Sequence, residues 1–426
     1  MVLSSMQLPM YIGTVRRKIS RSKPDRVFRQ SLKNCCGLLG KQYNGIAVLS
    51  NLATASKLTN LLIAGVVCMA SKVYLIRASR DEGDDAISEK ARTLFKAGGF
   101  SDCFRENDLT AVKVHVGEGG NTTYITAPCI RGLAEELLEL NTKPFVTDTT
   151  TLYVGRRHNA VDHAILAAEH GFSLEGLGIP WIPPDGLSGS SAEAVDIAGE
   201  INKEVFIAHG IARCQSILSV AHFTGHVASG LGATLKTMGM GCAGKHGKMA
   251  QHAALTLAIG DDCTSCGVCS EYCPADAITL DDVRAHIDQD KCIGCAECMA
   301  MCRSSAVRCN WGQETEVMQK SMAEHAFGAL KGKEDRAAFF NFVISVTKDC
   351  DCFDTPNMPK MVDDIGILAS TDAVAVDAAA LDLVEETAGR TLGALIRNKQ
   401  LDPRCQIRHA ESMGLGSSTY DLAQVD

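Results

Sequence analysis

Ala111-Val-Lys-Val-His-Val116 alternates with a period of two, placing Val112, Val114 and Val116 on one face of a strand and Lys113 and His115 on the other. Upstream, Val73-Tyr-Leu-Ile-Arg77 reads as another strand. Downstream, Pro128 opens an amphipathic helix that runs to about Leu140. A strand follows near Pro144-Phe-Val-Thr147, then a helix from about Ala160 to Glu169, capped by Asn159 and stopped by Gly171. Strands are expected near 205–208 and 216–221. After a cysteine-rich block come a helix around 314–330, strands at Phe342-Val-Ile-Ser-Val346 and near Ile365 to Leu368, and a helix after Asp372. Such alternation specifies an α/β fold with a mainly parallel sheet and crossover helices. The pattern does not encode strand order.

The block is the sharper signal. Cys263, Cys266, Cys269 and Cys273 form C-x2-C-x2-C-x3-C before Pro274, and Cys292, Cys295, Cys298 and Cys302 repeat the spacing 29 residues later. Asp261 aligns with Asp290, Ala277 with Ala306, and Ile278 with Val307. Two-residue gaps let one loop wrap three thiolates round a cuboidal cluster, while the last cysteine of each run reaches the other cluster. The expected ligand sets are Cys263, Cys266, Cys269 and Cys302 for one [4Fe–4S] cluster, and Cys292, Cys295, Cys298 and Cys273 for the other. Paired zinc sites are the competing reading of Cys-x2-Cys pairs, but two complete four-cysteine runs favour clusters. The segment resembles the bacterial two-cluster ferredoxins, with Arg303 where their second proline would stand, and it implies a small inserted α+β domain.

At 426 residues, 46% hydrophobic and 22% charged, the chain is globular and long enough for two to three domains. The expected segments are an extension over 1–70, read as disordered; the first part of the α/β domain over 71–253; cysteine motifs over 254–283 and 284–312; and the second part with a C-terminal tail over 313–426. Residues 1–57 carry a charge of +9, leaving −17 for the rest, and an acidic body argues against nucleic acid as a partner. The cleanest apolar run, Leu61 to Ala70, is too short for a bilayer span, so no membrane anchor is expected. Arg16-Arg17 suggests a twin-arginine leader, but its apolar part starts late and no A-x-A site follows. A cytoplasmic location is the expectation adopted.

Polar segments follow the expected strands, where open α/β sheets place their ligands. They are His115-Val-Gly-Glu118 with Asn121; Thr147-Asp-Thr-Thr-Thr-Leu-Tyr153 with Arg156, Asp162 and His163; Pro184-Asp-Gly-Leu187; His222-Phe-Thr-Gly-His226; and Asp349-Cys-Asp-Cys352. With Gly230-Leu-Gly-Ala-Thr-Leu-Lys236 and Met240-Gly-Cys-Ala-Gly-Lys245, they resemble the iron–sulfur-centre proteins of domain-of-unknown-function family 362 over about residues 71 to 390. Thr224 and Ala233 stand where that family often has lysine and glycine. One further motif is similar to the nickel-pincer lactate racemases, in the ten-residue interval between His226 and Lys236.

The candidate residues for chemistry are His115, Asp148, His226 and Lys236, with Lys113, His222 and Asp351 for binding a cofactor. Lys236 suits an anionic substrate or a Schiff base. His222, His226, His246 and Cys242 are candidates for a further metal. Cys350-Asp-Cys352 reads as a metal-binding pair or an electron-relaying dithiol on an extended segment, or as a buried turn. Gly239-Met-Gly-Cys-Ala-Gly-Lys-His246 mimics a nucleotide loop, but His246 replaces the required Ser or Thr and no apolar strand precedes it. The expected function is electron transfer by two [4Fe–4S] clusters, between an electron donor or acceptor and a small-molecule site in the α/β domain. The alternatives are a non-catalytic electron carrier or docking protein, and a nonredox enzyme with structural clusters or a nickel-pincer-like site.

Overall fold

The computed structural model describes residues 70–426 apart from 154, 227, 253–255, 274, 293–297, 299–301, 303, 305, 311–314, 397 and 399–400. The readings made for residues 1–69, Pro274, Cys295 and Arg303 lie outside the described residues.

Seven strands build the central sheet: β1 (Ser71–Ile76), β2 (Leu109–Val114), β3 (Lys143–Thr147), β4 (Ser216–His222), β5 (Ala337–Val343), β6 (Gly366–Ser370) and β7 (Tyr420–Val425). Their spatial order is β7-β1-β6-β5-β4-β2-β3. Every neighbouring pair is parallel except those of β6, which runs against both β1 and β5. The fold is thus mixed α/β with a mostly parallel sheet. The helices that matter for the site are α1 (Asp84–Ala97), α2 (Arg131–Glu139), α3 (Ala160–Glu169), α4 (Thr234–Gly239), α5 (Lys245–Gln251), α6 (Thr315–Leu330) and α7 (Ala373–Ala388).

Both faces of the sheet are covered, so the central strands are buried along their length instead of alternating buried with exposed residues. In β5, Ala337, Phe339 and Val343 join the core beneath α6 and α7, whereas Ala338, Phe340 and Phe342 join the core beneath α1 and α2. Phe340 meets Phe100 and Phe95 at ring-centroid distances of 5.2 and 6.3 Å. Burying each such side chain contributes roughly 1.5–3 kcal/mol. The valine face of β2 is as the alternation implies, since Val112, Val114 and Val116 all enter the second core. The side chains of Asn159 and Asp372 cap α3 and α7 by accepting backbone N–H groups.

Several elements depart from the sequence reading. The strand expected at 342–346 lies at Ala337–Val343, because Ala-Ala-Phe-Phe-Asn lacks the β-branched residues that advertise a strand. Glu204–Ala208 pairs with Ala192–Asp196 in a separate hairpin. The expected tail ends in β7, a half-polar edge strand beside β1.

Strands from both sides of the cysteine block share the sheet. The block is closed at its base by Thr256–Ile259 paired antiparallel with Val307–Asn310, and it contains a hairpin of Ile278–Leu280 and Ala285–Ile287. Its small core is partly made of cysteine side chains, with Cys269, Cys298 and Cys302 packed among Leu257, Ile278 and Val307.

Candidate functional site

β2, β3 and β4 end together, and their carboxyl ends deliver most of the polar segments to one place. Lys113, 1% exposed on β2, donates to the Asp148 carboxylate at 2.8 Å just past β3. Asp148 also receives Arg157 Nη1 at 3.2 Å, and Arg157 Nε reaches Glu118 at 3.1 Å. Burial disfavours the Asp148 carboxylate, but Lys113, His163 and Arg157 outweigh it and hold its pKa well below the usual range. Gly241 makes room for this: a Cβ there would lie 3.0 Å from Lys113 Nζ. Beside the network, Lys248 donates to Thr149 at 2.6 Å, and burial pushes its amine down to about 8. Thr150 donates through both its N–H and its hydroxyl to Asp185, whose carboxyl burial pushes up.

The second half of the site surrounds residues 350–352, which form a turn: Phe353 N donates to Cys350 O at 3.2 Å. His222 bonds Asp351 through Nδ1 and the Ile344 carbonyl through Nε2, both at 2.8 Å. With an acceptor at each nitrogen the ring is held as imidazolium; burial opposes this, but Asp351 raises the His222 pKa. His115 Nδ1 accepts Gly117 N at 3.0 Å, so its ring proton sits on Nε2 and points at Cys352 Sγ, 3.3 Å away. Cys350, Lys236 and His115 together depress the Cys352 pKa well below a free thiol's, against the effect of burial. The two sulfurs, Cys350 foremost, raise the Lys236 pKa despite burial. His226 Nδ1 accepts the N–H groups of Ala228 and Ser229, while burial and Lys236 hold the ring neutral.

All seven strand-end candidates, Lys113, His115, Asp148, His222, His226, Lys236 and Asp351, therefore lie in two adjoining networks. His246 does not: it is exposed and stacks on Phe206 at 4.0 Å. Cys242 is buried in the core, its thiol pushed up to about 12 by burial. The arginine of the network is Arg157; Arg156 pairs with Glu169 at the surface at 2.9 Å. Sequence reading also missed Lys248 and Asp377. The Asp377 carboxylate accepts the N–H groups of Thr234 and Leu235 at the start of α4, and Asn341 at 2.7 Å. A lysine in a Gly-rich helix and an aspartate in an Ala-rich one were signals, but neither names its partner.

In the cysteine block, Cys263, Cys266, Cys269 and Cys302 line one pocket with Ile259, Val268 and other residues. Cys302 thus joins three cysteines from the other run. Backbone N–H groups point at sulfur, from Ala285 to Cys263 at 3.4 Å, Ala277 to Cys273 at 3.3 Å and Ala306 to Cys302 at 3.2 Å. Of the other expected set, Cys273, Cys292 and Cys298 are described. Leu152 belongs to the same buried cluster as Cys269, Cys298 and Cys302, and its neighbour Tyr153 hydrogen-bonds Arg157.

The family described as "Domain of unknown function (DUF362)" matches residues 110–382, well over half of the chain. Over 45 residues the chain is 42% identical to one component of an ion-translocating oxidoreductase complex from Methanosarcina acetivorans, covering 11% of this chain and 17% of that protein. The lactate racemase apoprotein from Thermoanaerobacterium thermosaccharolyticum superposes with a TM-score of 0.38 at 10% identity, over 74% of this chain and 57% of that one. A Thermotoga maritima protein gives 0.35 at 11%, over 75% and 60%. Likeness at that level carries neither a fold nor an activity.

Proposed function

The chain belongs to the DUF362 family of domains of unknown function, and from that premise we propose that it holds two [4Fe–4S] clusters and moves electrons between them and the strand-end site. Cys263, Cys266, Cys269 and Cys302 would hold one cluster, and Cys292, Cys295, Cys298 and Cys273 the other. The observation that carries the reading is the cavity shared by three cysteines of the first run and the last of the second, the crossed arrangement the spacing implies. Sulfurs that accept backbone N–H groups and pack among apolar side chains suit thiolate ligation of an iron–sulfur centre, whose redox properties such hydrogen bonds tune. The group supplies one-electron chemistry. Leu152 and Tyr153 place the cysteine core next to Arg157, so both ends of an electron route lie within one packed unit.

The test is anaerobic purification with iron, acid-labile sulfide, nickel and zinc analysis, then dithionite titration followed by electron paramagnetic resonance. About eight irons and eight sulfides per chain, with reducible signals, are expected. About two zincs without sulfide overturn the proposal.

A further inference from the structure

Electrons arriving singly need an acceptor that can store a pair, and the 350–352 turn has the parts of one. Extended, two cysteines separated by one residue hold their Cα atoms about 6.6–6.8 Å apart, the outer limit of disulfide geometry. The turn closed by Phe353 N–H and Cys350 O draws them closer than that. Their surroundings differ. Cys350 is 5% exposed, whereas Cys352 is half-buried and open to an incoming group. His115 Nε2–H and the Lys236 ammonium face the pair, and Arg157 carries further positive charge nearby. A lysine ammonium near the pair suits an anionic reactant and opposes a metal cation.

We propose that Cys350 and Cys352 are a redox-active dithiol that reduces an anionic disulfide, Cys352 attacking first and Cys350 resolving; this deepens, and rests on, the cluster reading above. The Cys352 thiolate attacks one sulfur of R–S–S–R, forming Cys352–S–S–R and releasing RS⁻. The Cys350 sulfur gives up its proton and attacks Cys352 Sγ, forming the Cys350–Cys352 disulfide. The second RS⁻ leaves and takes up that proton. Two electrons and one proton return the pair to thiol and thiolate. The electrons come singly through the insert from a low-potential one-electron donor, such as a reduced ferredoxin-type protein.

With 19 cysteines in the chain, the readout is the mass of the peptide holding both residues. Holoprotein is equilibrated anaerobically in dithiothreitol redox buffers, quenched with iodoacetamide and mapped. The peptide is expected to lose two hydrogens reversibly in oxidising buffer and to take two alkyl groups in reducing buffer. With glutathione disulfide as probe, Cys350→Ser is expected to retain one glutathione on Cys352. Cys352→Ser should retain none at Cys350, and Lys236→Met should slow capture about tenfold. Alkylation of both residues at every poise, or equal glutathione capture by both serine variants, overturns the proposal. Glutathione disulfide should also erase the dithionite-generated paramagnetic signal in the wild type but not in Cys352→Ser; a signal that persists in both overturns it. Mapping needs no iron, so the two failures separate. A reversible disulfide in protein without iron removes the electron route through the cluster reading, whereas intact iron without a disulfide sinks the dithiol alone.

Discussion

The cysteine insert and the strand-end site are built on opposite principles. The insert has a core of few side chains, several of them cysteines, joined by strands of three and four residues. The strand-end site rests on a seven-stranded sheet whose two faces are packed independently. A region that cannot bury enough apolar surface folds around what it binds, whereas a site on a rigid sheet can hold buried charges in place without a ligand. The difference predicts which region depends on iron for its structure.

The largest expected effect follows from that. Stripping iron with a chelator under reducing conditions should raise proteolysis between residues 256 and 310 on the order of a hundredfold, with the sheet's circular dichroism unchanged. Simultaneous collapse of the body would show that the two regions are not independent.

The contrast also explains what the sequence could disclose. The proposed cluster ligands were suggested by spacing alone, because each loop would draw three thiolates from seven residues. The strand-end residues were legible as polar segments after strands, yet their pairings were not. Asp148 meets Lys113 from 35 residues away and His222 meets Asp351 from 129. Arg156 and Arg157 are adjacent in sequence, and only the turn at residues 155–159 decides which is buried. The order of strands was illegible because β6 reverses direction without any change of composition, and β7 reads as a polar tail.

Asp148→Asn tests the body. It leaves Lys113 and Arg157 buried without their shared anion, which should cost about 3–5 kcal/mol by urea unfolding, with iron content unchanged. The pH dependence has a definite sign. The folded Asp148 pKa is depressed, so its contribution is present above the unfolded value of about 3.9 and is lost as pH falls towards the folded value. The variant should therefore lose less stability than wild type on acidification below about pH 4. An equal loss would mean that the network is neutral in the folded protein.

A smaller effect is expected at His222→Gln, about 1–3 kcal/mol, with the opposite pH trend. The His222 pKa is raised, so its stabilisation is complete below the unfolded value of about 6.5 and declines as pH rises through the folded value. Unfolding free energies measured between about pH 6 and pH 9 should fall with pH in wild type and flatten in the variant. A variant that keeps the wild-type slope would place the titrating group elsewhere.

Asp377→Asn should have the least effect, about 1 kcal/mol or less near neutral pH, because burial already pushes the carboxyl up to about 6. An amide keeps one oxygen for the N–H groups of Thr234 and Leu235, although its NH2 must face Asn341 or one of those donors. Between about pH 3.9 and the folded value near 6 the native protein binds more protons than the unfolded one, so wild-type stability falls with rising pH across this window. The asparagine variant should lack that slope. Asp377 anchors the start of the helix that carries Lys236, so the rate of Cys352 alkylation reports whether the cap also sets the lysine's position. An unchanged rate together with a lost slope would confine Asp377 to holding the helix, and would leave the charge at the cysteine turn to Lys236.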